Sequence, residues 1–168
     1  MAEKEEIYNS KIKYSGVFSY KDFYQFCYDW LMEETELKTF NEREYEEKIN
    51  GNEKEVKIKW EGTKDITDYF RFLIKVEFHI TNMVNVEINQ DGNKIKMNKG
   101  KVKMTVKGEL VRDYKGKFET SGFNKFLRGV YEKWVITQRL DHFETYVTDK
   151  CDKFLNQAKA YLDLEGKR

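Results

Sequence analysis

This sequence predicts an α+β fold, a curved antiparallel β-meander with a long C-terminal helix packed on its concave face. Three observations predict it. Apolar residues alternate over Phe70, Phe72, Ile74, Val76, Phe78, Ile80, Val84, Val86 and Ile88. Asp91-Gly92 then marks a tight hairpin, and alternation resumes at Ile95 and Met97. A second hairpin signal, Asn50-Gly51, precedes strict alternation at Val56, Ile58 and Trp60. Helical spacing occupies both flanks, over 20–34 and from about Ser121 to Leu164.

Residues 1–9 read as a disordered lead-in to a single domain spanning 1–168. Lys11–Phe18 reads as the first strand. Ser19 stands where a helix N-cap belongs, with Asp22 three residues on. Tyr20, Phe23, Tyr24, Cys27, Trp30 and Leu31 recur at helical spacing, the pattern of a helix docked on a sheet. The charged segment 36–49 suits an edge strand, where charge discourages sheet-to-sheet aggregation.

The long strand pair carries a change of phase. Before the turn the apolar set is even-numbered; Ile95 and Met97 are odd; after Asn98-Lys99-Gly100 the set is even again, at Val102, Met104, Val106 and Leu110. A β-bulge beside Gly100, one extra residue in that strand, explains the change and leaves the arm one apolar face. The register beyond such a bulge places Glu77 opposite Lys107, Lys75 opposite Glu109 and His79 opposite Thr105. An unbroken strand over 67–88 would reach roughly 70 Å, so the bulge is also the expected bend.

In the C-terminal region Phe123, Leu127, Val130 and Trp134 form one stripe. Leu140, Phe143, Val147, Cys151, Phe154 and Ala158 form another, out of phase near Thr137. One helix of this length would measure roughly 65 Å. A domain of this size spans about 40 Å. Either the helix breaks or its end (Phe143–Leu162) projects toward a partner.

The charged fraction is 36% but the net charge is only +1, so no global field selects nucleic acid or membrane. The charge is unevenly laid out. Lys94, Lys96, Lys99, Lys101, Lys103 and Lys107 have no acid among them, whereas 33–55 holds nine glutamates against four basic residues. Lys94, Lys96, Lys99, Lys101 and Lys103 are the candidate anion contacts. The segment has no Arg and no aromatic for stacking, so nucleic acid is not an expected partner.

Catalysis has little to stand on. His79 and His142 have no metal-ligand spacing between them, and Cys27 and Cys151 lie on apolar helical stripes, as reduced buried thiols do. No phosphate-cradling glycine motif occurs. The expectation is a protein that is not an enzyme and has no catalytic residue, metal or cofactor. The N-terminus lacks a signal peptide's apolar core, and no stretch approaches the roughly 20 apolar residues of a membrane span. A soluble cytoplasmic protein is expected.

Strand Lys11–Phe18, helix Tyr20–Glu34, strands from Leu37 to Arg112 and helix Phe123–Leu164 follow one another in an order that resembles the helix-grip fold of the START and polyketide-cyclase-like superfamily. The resemblance is one of topology, without a shared residue motif. That fold carries two short helices after its first strand and seven strands. This chain reads as one helix and five strands, or seven if the arm breaks at Thr81–Met83 and Gly100. Members hold hydrophobic ligands between sheet and helix or serve as chaperone-binding modules. The resemblance therefore implies a non-enzymatic binding module, with a hydrophobic ligand among Trp60, Phe72, Ile74, Val76, Met104 and Val106 of the sheet and Leu127, Val130 and Trp134 of the helix. The same residues would equally serve as a solid core. The alternative is a protein-interaction or scaffold domain, self-associating or binding a partner through the C-terminal helix or the 81–103 β-arm.

Overall fold

The computed structural model describes residues 3–116, 122–131, 133 and 137–166. In chain order the elements are β1 (Glu3–Phe18), α1 (Tyr20–Glu34), β2 (Thr39–Asn50), β3 (Glu53–Asp65), β4 (Phe70–Gln90), β5 (Asn93–Arg112), α2 (Gly122–Val130) and α3 (Thr137–Glu165). The strands form one antiparallel sheet in the order β1-β5-β4-β3-β2. The meander β2 to β5 is therefore sequential, and β1 returns to cover the free edge of β5. The fold is α+β, as the alternation and helical spacing predict.

β1 starts earlier than the apolar pattern suggests, taking in Glu3–Asn9 from the stretch read as a lead-in. Ion pairs fix it there: Glu3 meets Arg128 at 2.9 Å and Glu5 meets Arg112. Ser19 caps α1 as its position predicts, its hydroxyl accepting from the Asp22 N–H at 3.4 Å. A second cap comes from β5, where the Asn98 side chain accepts from the Tyr20 N–H at 2.9 Å. α1 buries Phe23, Cys27 and Leu31.

α3 has 29 residues, about 43 Å at 1.5 Å per residue. Its stripe Phe143, Val147, Cys151, Phe154, Leu155, Ala158 and Leu162 is buried in the main core with α1 and the even-numbered residues of β4 and β5. Rings make much of this contact: Phe70 with Phe143 at 4.8 Å, Phe26 with Tyr161 at 4.6 Å, Trp30 with Phe154 at 5.2 Å. At Gly108 the approach is close. A Cβ there would stand 2.6 Å from the Cys151 Sγ and 2.8 Å from the Val147 Cγ1, so only glycine lets α3 settle on β5.

The Asp91-Gly92 hairpin has the predicted register, with Ile88 opposite Ile95 and Val86 opposite Met97. The bulge lies on the other strand from the one predicted. Thr81 pairs with Lys101 and Val84 with Lys99, so Asn82 and Met83 together oppose Gly100, and the extra residue belongs to β4. Asn82 takes the left-handed conformation, φ 53°, which asparagine tolerates.

The register beyond the bulge changes accordingly. Lys75 faces Lys107, Glu77 faces Thr105 and His79 faces Lys103. Lys75 still reaches Glu109 at 3.5 Å, but diagonally. β5 alternates without interruption, so Ile95 and Met97 share a face with Lys99, Lys101 and Lys103, opposite to Val102, Met104 and Val106. The arm thus has two apolar strips on opposite sides. One joins the helices; the other, Val84, Val86, Ile88, Ile95 and Met97, lies on the outer face. Met97 is 4% exposed yet stands apart from the main core, as that placement requires.

α2 is turned opposite to expectation. Phe123, Phe126, Leu127 and Val130 are exposed, the first two by 68% and 65%. The reason is Arg128 on the other side of the helix, which is buried, donates from Nε to the Tyr69 hydroxyl at 3.2 Å and pairs with Glu3. A buried guanidinium held by the buried Tyr69 hydroxyl and the exposed Glu3 carboxylate fixes the helix's rotation against the pull of its apolar stripe.

Candidate functional site

The residues expected to wall an apolar cavity separate into three groups. Trp60, Phe72, Ile74, Val76, Met104 and Val106 are each at most 2% exposed and belong to one packed cluster. Trp60 is ringed by Tyr24, Tyr28, Phe40 and Phe78, with centroids 4.8–6.4 Å away, and Phe72 meets Tyr146 at 6.0 Å. Leu127 and Val130 face outward on α2 and do not join them. Trp134 lies outside the described residues. The apolar stripe of α3 is consumed in the core, not held out as a free surface.

Glutamates of 33–55 are largely committed to partners. Glu42 accepts from the Tyr24 hydroxyl at 2.8 Å and the Trp60 indole N–H at 3.1 Å, tying β2 to α1. Tyr45 links the Tyr20 hydroxyl, at 2.7 Å, to Glu47. Burial and the Tyr45 bond hold the Tyr20 phenol well above its ordinary pKa. Glu36, Glu44, Glu46 and Glu47 pair with Lys64, Lys59, Lys48 and Lys54. Glu55 pairs with Lys57 and His79, and the His79 hydrogen bond holds its carboxyl below the ordinary glutamate value. Burial pushes the Cys151 thiol up to about 12 and raises that of Cys27 as well, so neither supplies a thiolate at neutral pH.

The candidate anion contacts are divided by the pleat of β5. Lys94 and Lys96 are on the helix-facing side of the arm tip, while Lys99, Lys101 and Lys103 point from the outer face. Lys107 continues their row, and β1 brings up Lys11 opposite Thr105 and Lys13 opposite Lys103. Six lysines from two strands distant in sequence therefore share the outer face of the β1–β5 pair. Among the described residues none of the six has a carboxylate within 4 Å, although Glu77 stands beside Thr105 in the same field. The β2–β3 half of this face is ion-paired instead, Arg43 with Glu61 and Lys59 with Glu44.

At the centre of the lysine field is a hollow of about 460 Å³. Its outward side chains form a grid over three strands. Lys13, Lys103 and His79 lie in one row, and Ser15, Lys101 and Thr81 lie in the next. Lysines directly opposite one another, as Lys13 and Lys103 are, repel, and so do Lys75 and Lys107. Sequence reading found the β5 half of this field; the β1 half shows no signal until the strands are known to be neighbours.

No family model matches the chain, and no curated protein matches it. A solved structure, an uncharacterized protein from Rhizobium leguminosarum, is 9% identical over 94% of this chain and 99% of that one, with a TM-score of 0.18. A likeness so slight adds nothing on fold or activity. No described helix is long and apolar enough to cross a membrane, and the described residues hold no cluster of three or more His, Cys, Asp or Glu that would seat a metal.

Proposed function

We propose that this protein is a non-catalytic binding module whose recognition surface is the outer face of β1 and β5, and that its partner is anionic. One observation carries the reading. Six lysines stand on that face with no carboxylate within 4 Å among the described residues, while the neighbouring half of the same sheet face is neutralised pair by pair. Concentrated positive charge raises the local concentration of anions and speeds their capture. The adjoining strip of Val84, Val86, Ile88, Ile95 and Met97 adds apolar contact area, which suits a protein-interaction role for the 81–103 arm.

The test is binding of fluorescent poly-L-glutamate and of a mixed-sequence oligonucleotide, titrated with salt. Binding in dilute buffer that weakens steeply as the Debye length shrinks below about 10 Å is the expected result. No binding at low salt, or equal binding after Lys11, Lys13, Lys99, Lys101, Lys103 and Lys107 are changed to Gln, would overturn it.

A second reading rests on the element order. Strand, helix, meander and long helix, with α3 seated at Gly108 of β5, support a helix-grip-like module holding a hydrophobic ligand between sheet and helix. The tight packing around Trp60 and Phe72 weighs against open space there. Extraction of the purified protein for lipid is the check; a ligand-free extract and no uptake of an apolar dye would exclude this reading.

A further inference from the structure

We propose that the hollow on the outer face is a site for closely spaced phosphate groups on one small molecule, an inference that rests on the anion-binding reading above. The grid sets its dimensions. Adjacent strands lie about 4.8 Å apart and residues two apart on a strand about 6.7 Å, so six side chains converge on a patch roughly 10 Å by 7 Å. Lys13, Lys101 and Lys103 bring three ammonium groups to it, and Ser15 and Thr81 flank Lys101 with hydroxyl donors. His79 closes one side, its Nε2 2.8 Å from the Glu55 carboxylate. Ser15 and Thr81 are the small members of the grid, and their size opens the 460 Å³.

The donor set selects among anions. Lysine meets an anion as a compact point charge, whereas planar bidentate recognition of carboxylates calls for arginine, and the grid has none. A phosphate ester carries up to two charges and three acceptor oxygens. Two or three such groups would answer three lysines and two hydroxyls that a carboxylate chain would serve only in part. A polynucleotide would present bases as well, and no aromatic ring is among the outward side chains of the grid to stack them. The fitting ligand is a compact polyphosphorylated sugar or cyclitol, free or as the headgroup of a lipid.

Calorimetric titration with inositol hexakisphosphate at about 150 mM salt tests this, where exposed charges more than roughly 8 Å apart are screened. The expected result is saturable binding with a 1:1 midpoint, unaffected by equimolar sulfate. Changing Lys13, Lys101 and Lys103 to Gln should weaken it by tenfold or more. Changing Ser15→Ala with Thr81→Val, which leaves the charge intact, should also weaken it. Changing Lys94, Lys96 and Lys159, the last an exposed residue of α3, to Gln removes the same charge elsewhere and should leave it within about twofold, because neutralised contacts at the site, not net charge, set the affinity. Circular dichroism confirms that each variant is folded. Vesicles carrying a phosphoinositide, run beside the soluble ligand, show whether a headgroup is taken as well as the free molecule. Absence of binding, or equal loss in the two lysine triples, overturns the proposal. If poly-L-glutamate binds and the hexakisphosphate does not displace it, the phosphate site falls while the anion-binding face stands. If neither ligand binds, both fall.

Discussion

Gly100 of β5 faces Met83 of β4 so closely that a Cβ on the glycine would stand 3.0 Å from the Met83 Cα, and equally close to the Thr81 carbonyl oxygen. The bulge of β4 occupies the space a side chain at 100 would need. Gly100→Ala should lower stability by about 1–3 kcal/mol, the range of an overpacked site whose neighbour is backbone. Denaturant unfolding gives the measurement; an unchanged midpoint would show that the bulge is free to yield.

Gly108 makes the corresponding contact with α3, through Cys151 and Val147. Gly108→Ala should be strongly destabilising, and Cys151→Ala should cost less in the Gly108→Ala background than in the native one. Groups in contact are non-additive by about 0.5–3 kcal/mol, so a double-mutant cycle by thermal unfolding reads the coupling. Purely additive effects would place the strain elsewhere.

Both thiols are buried and raised in pKa by loss of solvent. Neither Cys27 nor Cys151 should react with a disulfide reagent at pH 8 in the native protein, and both should react in denaturant. Rapid labelling of either thiol in the folded state would contradict its burial.

Asp65 accepts from Arg71 at 2.7 Å and from Lys38 at 2.9 Å, and both bonds hold its carboxyl below the ordinary aspartate value. A depressed folded-state pKa contributes stability that is present above the unfolded value, near 3.9, and is lost as the pH falls through the folded one. Asp65→Asn should therefore destabilise at pH 7 and have a progressively smaller effect below about pH 4. Thermal midpoints measured across that range supply the check.

The outer lysines carry a cost in the unliganded protein. Lys13 directly faces Lys103, and like charges so placed are destabilising by a few tenths of a kcal/mol. Lys103→Gln should raise the unfolding midpoint slightly at low salt while weakening anion binding, and the stability gain should vanish in high salt. A loss of stability would mean that Lys103 serves the fold.

Local features were legible in the chain and non-local ones were not. Asp91-Gly92 fixes Ile88 against Ile95 because a two-residue turn sets register at once, and Ser19 marks the start of α1 within one residue. The bulge lies on β4 and not, as the alternation predicts, on β5, for a definite reason. A shift from odd to even apolar positions in β5 arises either from an extra residue in β5 or from a change in which side of the sheet is apolar. Alternation along one strand is the same in both cases, and only the pairing of Thr81 with Lys101 separates them. The lysine face needed the β1–β5 pairing, which joins residues about 90 positions apart. The rotation of α2 depended on Arg128 finding Tyr69 and Glu3, against its own apolar periodicity.

The two-for-one pairing of Asn82 and Met83 with Gly100 lets β4 exchange which of its parities faces outward while β5 runs on unbroken. Even-numbered residues of β4 stand with the helices up to Ile80 and stand outside from Val84 onward. Loss of one codon at the bulge would leave Val84 opposite Lys99, Val86 opposite Met97 and Ile88 opposite Ile95, and would remove only the local bend and twist that the extra residue brings. A lineage could in this way re-aim the arm by a change in length alone, while the surface it carries stays the same.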